Sequence, residues 1–382
     1  MDQTPLERIL LDTVRRSGSV TFQQYMALCL YHPEHGYYVR GPERTGMRGD
    51  YFTSSDLHPI FARLLGRQAA EMWEVLGRPA PFTWVEMGAG RGLFAQDFLK
   101  WAANAEFGAT LNYVAIEPSA EARLRLMNRV SGEVRKSAFR VLANLEELAP
   151  TTGCFFSNEL VDAFPVSIVT RARGRLQEIY VTAEGETLRE TLGPLSDTAV
   201  AAYAARYGHG LEEGHRMEVN LIVADWIRSV AEKLVRGFAL TVDYGDLAAR
   251  LSTADRPRGT LMAYRGHVAS EDFFSTPGEQ DLTAHVNFSA LISAGEDAGL
   301  NLTGFTTQER FLLALGEPNQ FADLYGPGQS EVERLDARLK LKRLILPGGM
   351  GTVFKVLIQH KGITMPKLSG LKFSDEQQVA SG

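Results

Sequence analysis

Residues 84–92, Trp-Val-Glu-Met-Gly-Ala-Gly-Arg-Gly, constrain this chain more than any other stretch. An apolar run leads into three glycines at alternate positions, and a helix-forming run begins at Leu93. Glycine permits positive φ and lets a ligand approach the backbone where a Cβ would stand. A strand, a glycine turn and a helix at the first crossover is the place where doubly wound folds bind nucleotides. The flanking sequence agrees. Residues 82–87 read as a strand and 93–101 as the helix after it. Further strands are expected at 113–116, 139–142 and 153–157, with a helix over 120–130. Alternation at this spacing predicts an α/β fold, a parallel sheet covered by helices on both faces.

The loop also narrows the cofactor. A dinucleotide fingerprint ends in Gly or Ala, and here that slot holds Leu93. Glu86, two residues before the first glycine, would sit badly beside a pyrophosphate. It suits a cofactor whose near end carries an ammonium, as the methionine part of S-adenosylmethionine does. Glu117, at the end of the second strand, is placed to accept both ribose hydroxyls, a role common to either cofactor class. A bland alternative stands beside these: a tight strand–helix turn with an incidental acid, and a Glu-Pro-Ser helix entry. The expected cofactor set is Glu86, Gly88, Ala89, Gly90, Gly92, Glu117 and Pro118, completed by Thr53, Ser54, Asn144, Leu145 and Asn158.

The remaining sequence bounds the answer. At 382 residues there is material for about two to three domains. A formal charge of −6 disfavours a dedicated nucleic-acid binder. Cys29 and Cys154 lie far apart with no ligand-spaced partner, so neither a disulfide framework nor a zinc site is expected. His32 and His35 are explained better by a turn than by a metal. No signal sequence opens the chain and no membrane-spanning stretch is present, so a cytoplasmic protein is expected, with a homodimer left open.

Before the glycine loop, Leu6, Ile9, Leu10 and Val14 share a helical face, and Thr21 with Gln24 has capping-box spacing. A long helix is expected from about Ser55, with Phe61, Leu65, Met72 and Leu76 at helical intervals. After the fourth strand comes a hairpin, 166–170 with 178–181, and helices near 196–206 and 218–235. Strands are expected again at 238–242, 300–306 and 352–358. The polar tail after Gly362 lacks periodicity and is expected to be disordered.

Several motifs together resemble the MidA-like methyltransferases, which include the mitochondrial complex I assembly factor that dimethylates an arginine. They are His32-Pro-Glu-His-Gly-Tyr-Tyr, Gly49-Asp-Tyr-Phe-Thr-Ser, Glu86-Met-Gly-Ala-Gly-Arg-Gly, Glu117-Pro-Ser, and Asn158-Glu-Leu-Val-Asp-Ala-Phe-Pro-Val. Asp243-Tyr-Gly, Pro277-Gly-Glu-Gln-Asp-Leu-Thr-Ala-His-Val, Thr307-Gln and Met350-Gly-Thr-Val-Phe-Lys-Val follow in the family's order. The resemblance implies a class I (Rossmann-like, seven-stranded) methyltransferase sheet with its last strand antiparallel. It also implies a helical cap over 1–80, a core over 81–165 and 236–360 with a cap loop at 247–298, and an inserted lobe at 166–235. Residues 361–382 form the tail. The chain departs from the family at Ser55-Asp56, usually Pro-Glu, and at Asn287, usually Asp.

Ser157-Asn-Glu-Leu-Val-Asp ends the fourth strand at the edge that faces the cofactor's methyl in this architecture. If the chain turns helical there, Glu159 and Asp162 share a face. Methyl transfer is an in-line displacement, so the protein aligns the nucleophile and excludes water. An arginine acceptor, with a pKa above about 12, needs carboxylates to orient it and take its proton. Glu159 and Asp162 are the candidates for that duty, with Asn158 on the cofactor side. Tyr244 is expected to wall the acceptor channel. Asp281, Thr283 and His285 form a polar cluster in a Pro-Gly-containing loop, and His285 is a candidate base for an oxygen nucleophile. The expected activity is S-adenosylmethionine-dependent methylation of a protein arginine. O- or N-methylation of a small molecule, or a cofactor-bound assembly factor with little turnover, are the alternatives.

Overall fold

The computed structural model describes residues 3–39, 49–50, 53–132, 138–251, 253, 255–326, 328–347 and 349–374. Tyr51 and Phe52 of the Gly49 motif, and residues 375–382, lie outside these. The chain opens with α1 (Pro5–Ser17), β1 (Val20–Thr21), α2 (Phe22–Tyr31), α3 (Ser54–Leu57) and α4 (Ile60–Val75). The first half of the sheet follows as β2 (Phe82–Met87), α5 (Leu93–Ala102), β3 (Leu111–Ile116), α6 (Ala120–Val130), β4 (Ala138–Leu142) and β5 (Thr151–Asn158). Next come β6 (Ser167–Ala172), β7 (Arg175–Glu184), β8 (Thr187–Gly193), α7 (Thr198–Tyr207), β9 (Arg216–Val219) and α8 (Ile222–Lys233). The chain then forms β10 (Leu234–Asp246), α9 (Ala248–Leu251), β11 (Met262–Arg265), β12 (Val268–Ser270), β13 (Asp281–Thr283), β14 (Val286–Asn287) and α10 (Phe288–Asp297). It ends with β15 (Asn301–Thr307), α11 (Gln308–Gly316), α12 (Glu331–Ile345) and β16 (Phe354–Lys361).

Seven strands run in the order β15-β16-β10-β5-β2-β3-β4, and short β14 pairs with the end of β10. The neighbours β3–β4, β2–β3, β2–β5 and β5–β10 are parallel, while β16 is antiparallel to both β10 and β15. All six residues of β2 are buried, as a strand covered on both faces requires. On one face α4, α5, α11 and α12 pack against Trp84, Phe156 and Val356. On the other, α8 and α10 cover Val85, Phe155 and Leu357. The aromatic contacts Trp84–Phe98 and Phe94–Phe156, with centroids 4.7 and 4.5 Å apart, hold the strand ends beneath the glycine loop.

A second core stands beside this sheet. Leu6, Leu10, Tyr25 and Tyr37 of the N-terminal segment pack with Ile168 and Val181 of the inserted sheet and with Leu282 of β13. The inserted sheet runs β1-β7-β6-β9, with β8 on β7, and β12-β11-β13 form a further small sheet.

Several expectations need correction. The long helix from Ser55 is two helices, because Pro59 forces His58 into an extended conformation at φ −164°. The expected helix over 218–235 holds only residues 222–233; Arg216–Val219 instead pairs with β6, with apolar residues inward at alternate positions. Residues 1–80 do not form one cap, since α1 and α2 join the second core while α4 covers the main sheet. The segment 247–298 is not a loop but carries four strands and two helices. Of the tail, the turn at 368–371 is anchored: Leu368 and Leu371 are buried in the main core, and the Gly370 N–H donates to Gln68 Oε1 at 3.1 Å. No helix among the described residues is long and apolar enough to cross a membrane.

Candidate active site

The strand order reverses between β2 and β5, and ligands in such sheets bind beyond the carboxyl ends of the strands at that switch. Met87 lies opposite Ser157 across this pair, so the glycine loop and the Asn158-Glu159 turn leave the sheet side by side. Above them is a cavity of about 620 Å³. Glu86, residues 88–94 and residues 117–122 line one end; Tyr31, Tyr38, Asn158, Glu159, Leu160 and Ala163 line the other. This volume is right for one cofactor plus the tip of an acceptor.

At the first end the loop takes left-handed φ at Gly88, Gly90 and Gly92, of 71°, 51° and 74°. A side chain at Gly92 would place its Cβ 2.1 Å from Leu126 Cδ1, whereas Gly90 has open space. The Gly88 and Ala89 N–H groups donate to Ile116 O at 2.9 and 3.2 Å, and the Gly90 N–H donates to Glu117 Oε2 at 2.9 Å. Glu117 Oε1 accepts the Ser119 N–H, also at 2.9 Å. Burial raises its pKa, against the backbone donors that lower it. Glu86 is 5% exposed, and Tyr113 donates to its Oε2 at 2.5 Å. Burial pushes this carboxyl up to about 8, the Tyr113 bond opposing. A buried acid at the cavity floor with no cationic partner among the described residues fits the ammonium end of S-adenosylmethionine; Glu117, over the loop, fits its ribose.

The cap closes on the same loop. Thr53 and Asp56 form a capping box at α3, and Arg91 donates to Asp56. Asn287, the second departure, caps α10 by accepting the Ala290 N–H at 3.2 Å; Asn and Asp are equally good there.

At the other end the expected helix does not form. Glu159 has φ +51°, and only residues 161–163 make a 3₁₀ turn. Glu159 and Asp162 consequently do not share a helical face. Glu159 Oε1 accepts the Ser54 N–H and the Asn158 side-chain N–H, both at 3.0 Å. Burial pushes Glu159 up to about 8, and the Asp162 and Asp56 charges push the same way. Asp162 lies behind the wall, where Tyr244 donates to its Oδ2 while Oδ1 is buried without a partner. Tyr31 and Tyr38 stack with centroids 5.6 Å apart and anchor through Ala163 O at 2.9 Å and Asp281 Oδ1 at 2.8 Å.

Besides Asp162, five expected residues are not on the cavity wall. Ser54 is fully buried and contributes its backbone N–H to Glu159. Asn144 accepts the Glu147 N–H at 3.2 Å as a cap, and Leu145 is buried in the core. His285 lies against the ring of Tyr244, lines a separate small space, and is pushed down to about 4 by burial and then by Arg256 and Lys355. Tyr244 is likewise off the wall. Asp281 and Thr283 sit on β13, a strand where a loop was expected. His32 Nδ1 accepts two backbone N–H groups of its own turn, at 3.2 Å each. Tyr31, Tyr38, Asp56, Arg91 and Tyr113 were not singled out from sequence. The Gly-Tyr-Tyr motif signalled Tyr38, the glycine motif contained Arg91, and Asp56 stood in the Ser55-Asp56 departure; nothing local signalled Tyr31 and Tyr113 as site residues.

Known proteins share this arrangement. The family model described as "Putative S-adenosyl-L-methionine-dependent methyltransferase" matches residues 64–306. The chain is 28% identical to human protein arginine methyltransferase NDUFAF7, mitochondrial, over 82% of this chain and 74% of that protein. Identity to the Drosophila melanogaster homolog is 26%, over 94% and 85%. A Burkholderia thailandensis protein solved bound to S-adenosyl-homocysteine is 30% identical, with a TM-score of 0.88 over 97% of this chain and 96% of that one. With the strand order, the glycine loop and this match in agreement, the chain belongs to the MidA-like family of S-adenosyl-L-methionine-dependent methyltransferases.

Proposed function

We propose that this methyltransferase acts on a guanidinium nitrogen of a protein arginine. The observation that carries the reading is Glu159. Its carboxylate lines the cavity, and among the described residues both hydrogen bonds it accepts fall on Oε1, which leaves Oε2 for a donor from an acceptor. The stacked Tyr31 and Tyr38 supply aromatic surface of the kind that receives a planar cation. The relatives named as protein arginine methyltransferases support the same acceptor class.

When bound, S-adenosylmethionine would supply the methyl as an electrophile, with neutral S-adenosyl-homocysteine as the leaving group. The chain's part is to place the acceptor nitrogen and dispose of one proton. Glu159 orients the guanidinium through Oε2 and takes the proton released as the N–C bond forms and the S–C bond breaks. A carboxyl near 8 narrows the gap to a guanidinium above about 12, compared with an ordinary carboxylate near 4.3. Asp162 acts at one remove, its charge helping to raise Glu159. The oxygen-directed alternative relied on His285, which lies off the cavity wall. The test is incubation of the chain with labelled S-adenosylmethionine in a cell extract, then mass spectrometry of the labelled species. Methylarginine in protein supports the reading; label confined to small metabolites refutes it.

A further inference from the structure

We propose that Asp243 is a positioning residue for methyl transfer: it grips the backbone of residues 160–162 and so fixes Glu159 in the cavity wall. The inference rests on the acceptor reading above. The left-handed φ of Glu159, +51°, is a conformation that a non-glycine residue holds only where its surroundings impose it. Those surroundings are three consecutive residues of β10. The Val242 carbonyl accepts the Glu159 N–H at 3.0 Å. Asp243 Oδ2 accepts the N–H groups of Leu160, Val161 and Asp162 at 3.2, 2.9 and 3.4 Å. The Tyr244 hydroxyl donates to the Asp162 side chain.

The peg is itself immobile. Asp243 is fully buried, its Oδ1 accepts the Tyr244 N–H at 2.9 Å, and its strand is paired on both sides by β5 and β16. Successive N–H groups converging on one point form an anion-binding nest, and a carboxylate, which only accepts, can satisfy all of them. Asparagine has the same shape but turns two donors toward the loop amides or toward the Tyr244 N–H, whichever way it is flipped. The cofactor end hangs elsewhere, on β2 and β3 through Ile116 O and Glu117. Loss of the peg should therefore separate transfer from cofactor binding.

The experiment compares the full chain with Asp243→Asn and Tyr244→Phe. Amide hydrogen exchange is followed at residues 158–163, S-adenosyl-homocysteine affinity by calorimetry, and methyl transfer by label incorporation in a cell extract. In Asp243→Asn the amides of Leu160, Val161 and Asp162 are expected to exchange at least tenfold faster, with residues 238–242 unchanged. Affinity is expected to move less than threefold while incorporation falls at least tenfold. Tyr244→Phe should keep the three amides protected. Unchanged exchange in Asp243→Asn overturns the proposal, as does a loss of affinity that matches the loss of transfer. If Asp243→Asn does not fold, the wild-type chain decides: amides of Leu160 to Asp162 that exchange as fast as exposed loop amides refute the grip. Protected amides in a wild-type chain that incorporates no label overturn the acceptor reading, and with it the catalytic half of the proposal.

Discussion

Replacing Glu86 by Gln tests how the cofactor is held, and the structure sets the size of the effect. Glu86 is buried with one hydrogen bond, from Tyr113, and its carboxyl lies near 8. The ammonium end of the cofactor requires it ionised. Between pH 6 and pH 7 the ionised fraction rises from about 1% to about 9%, while an α-amino group of pKa near 8 stays mostly protonated. The dissociation constant of S-adenosyl-homocysteine should therefore tighten nearly tenfold across that unit of pH, with close to one proton released per molecule bound. A charge-assisted hydrogen bond contributes about 1.5–3 kcal/mol, and ionising the group at pH 7 offsets about 1.4 kcal/mol of it. The net loss in Glu86→Gln at pH 7 is then roughly up to tenfold in affinity, growing toward pH 8. Calorimetry in two buffers of different ionisation enthalpy measures both affinity and proton release. Glu86→Gln should show neither pH dependence nor proton release. A wild-type chain that binds equally well at pH 6 and pH 7 without releasing a proton would refute the argument.

Glu159→Gln should lower methyl transfer by about 10²–10⁴-fold, the range for a lost general base, and leave S-adenosyl-homocysteine affinity nearly intact; full activity in the labelled-extract assay sinks the role. In wild type, kcat/KM for the acceptor should rise with pH toward 8 as Glu159 ionises, and this limb should vanish in the variant. Glu86, Glu159 and Asp281 all have folded pKa values near 8, above their ordinary 4.5, 4.5 and 3.8. Their contribution to stability is complete below the ordinary values and is lost as pH rises through 8, by up to about 1.4 kcal/mol per group per pH unit. The Tm of the cofactor-free chain should accordingly fall between pH 5.5 and pH 8, and a rise over that window contradicts the burial argument. Asn287→Asp, which restores the family's residue, should leave methyl transfer within twofold because the α10 cap is kept; a tenfold change would show that the side chain does more than cap.

How much of this was legible follows from where the contacts close. The cofactor end is local. Glu86 and the three glycines sit within seven residues, and Glu117 follows at the end of the adjacent strand, so periodicity and glycine spacing reach it. The acceptor end closes over long separations: Tyr38 meets Asp281 across 243 positions, and Ser54 meets Glu159 across 105. No window of sequence contains such a pair. At Glu159 the local signal was misleading. Glu-Leu-Val-Asp-Ala-Phe has ordinary helix formers, but Asp243 captures the N–H groups that a helix would have left for its own first turn.

The two ends of the cavity are built by different cores. The glycine loop and Glu117 are extensions of β2 and β3 and inherit the rigidity of the main sheet. Tyr31 and Tyr38 belong to the N-terminal segment, and Asp281, the partner of Tyr38, belongs to β13; both elements contribute to the second core. The Glu159 turn lies where these meet, gripped from β10 below and touched by Ser54 above. The two departures from the family pattern keep to this division: Asp56 still caps and pairs with Arg91, and Asn287 still caps α10.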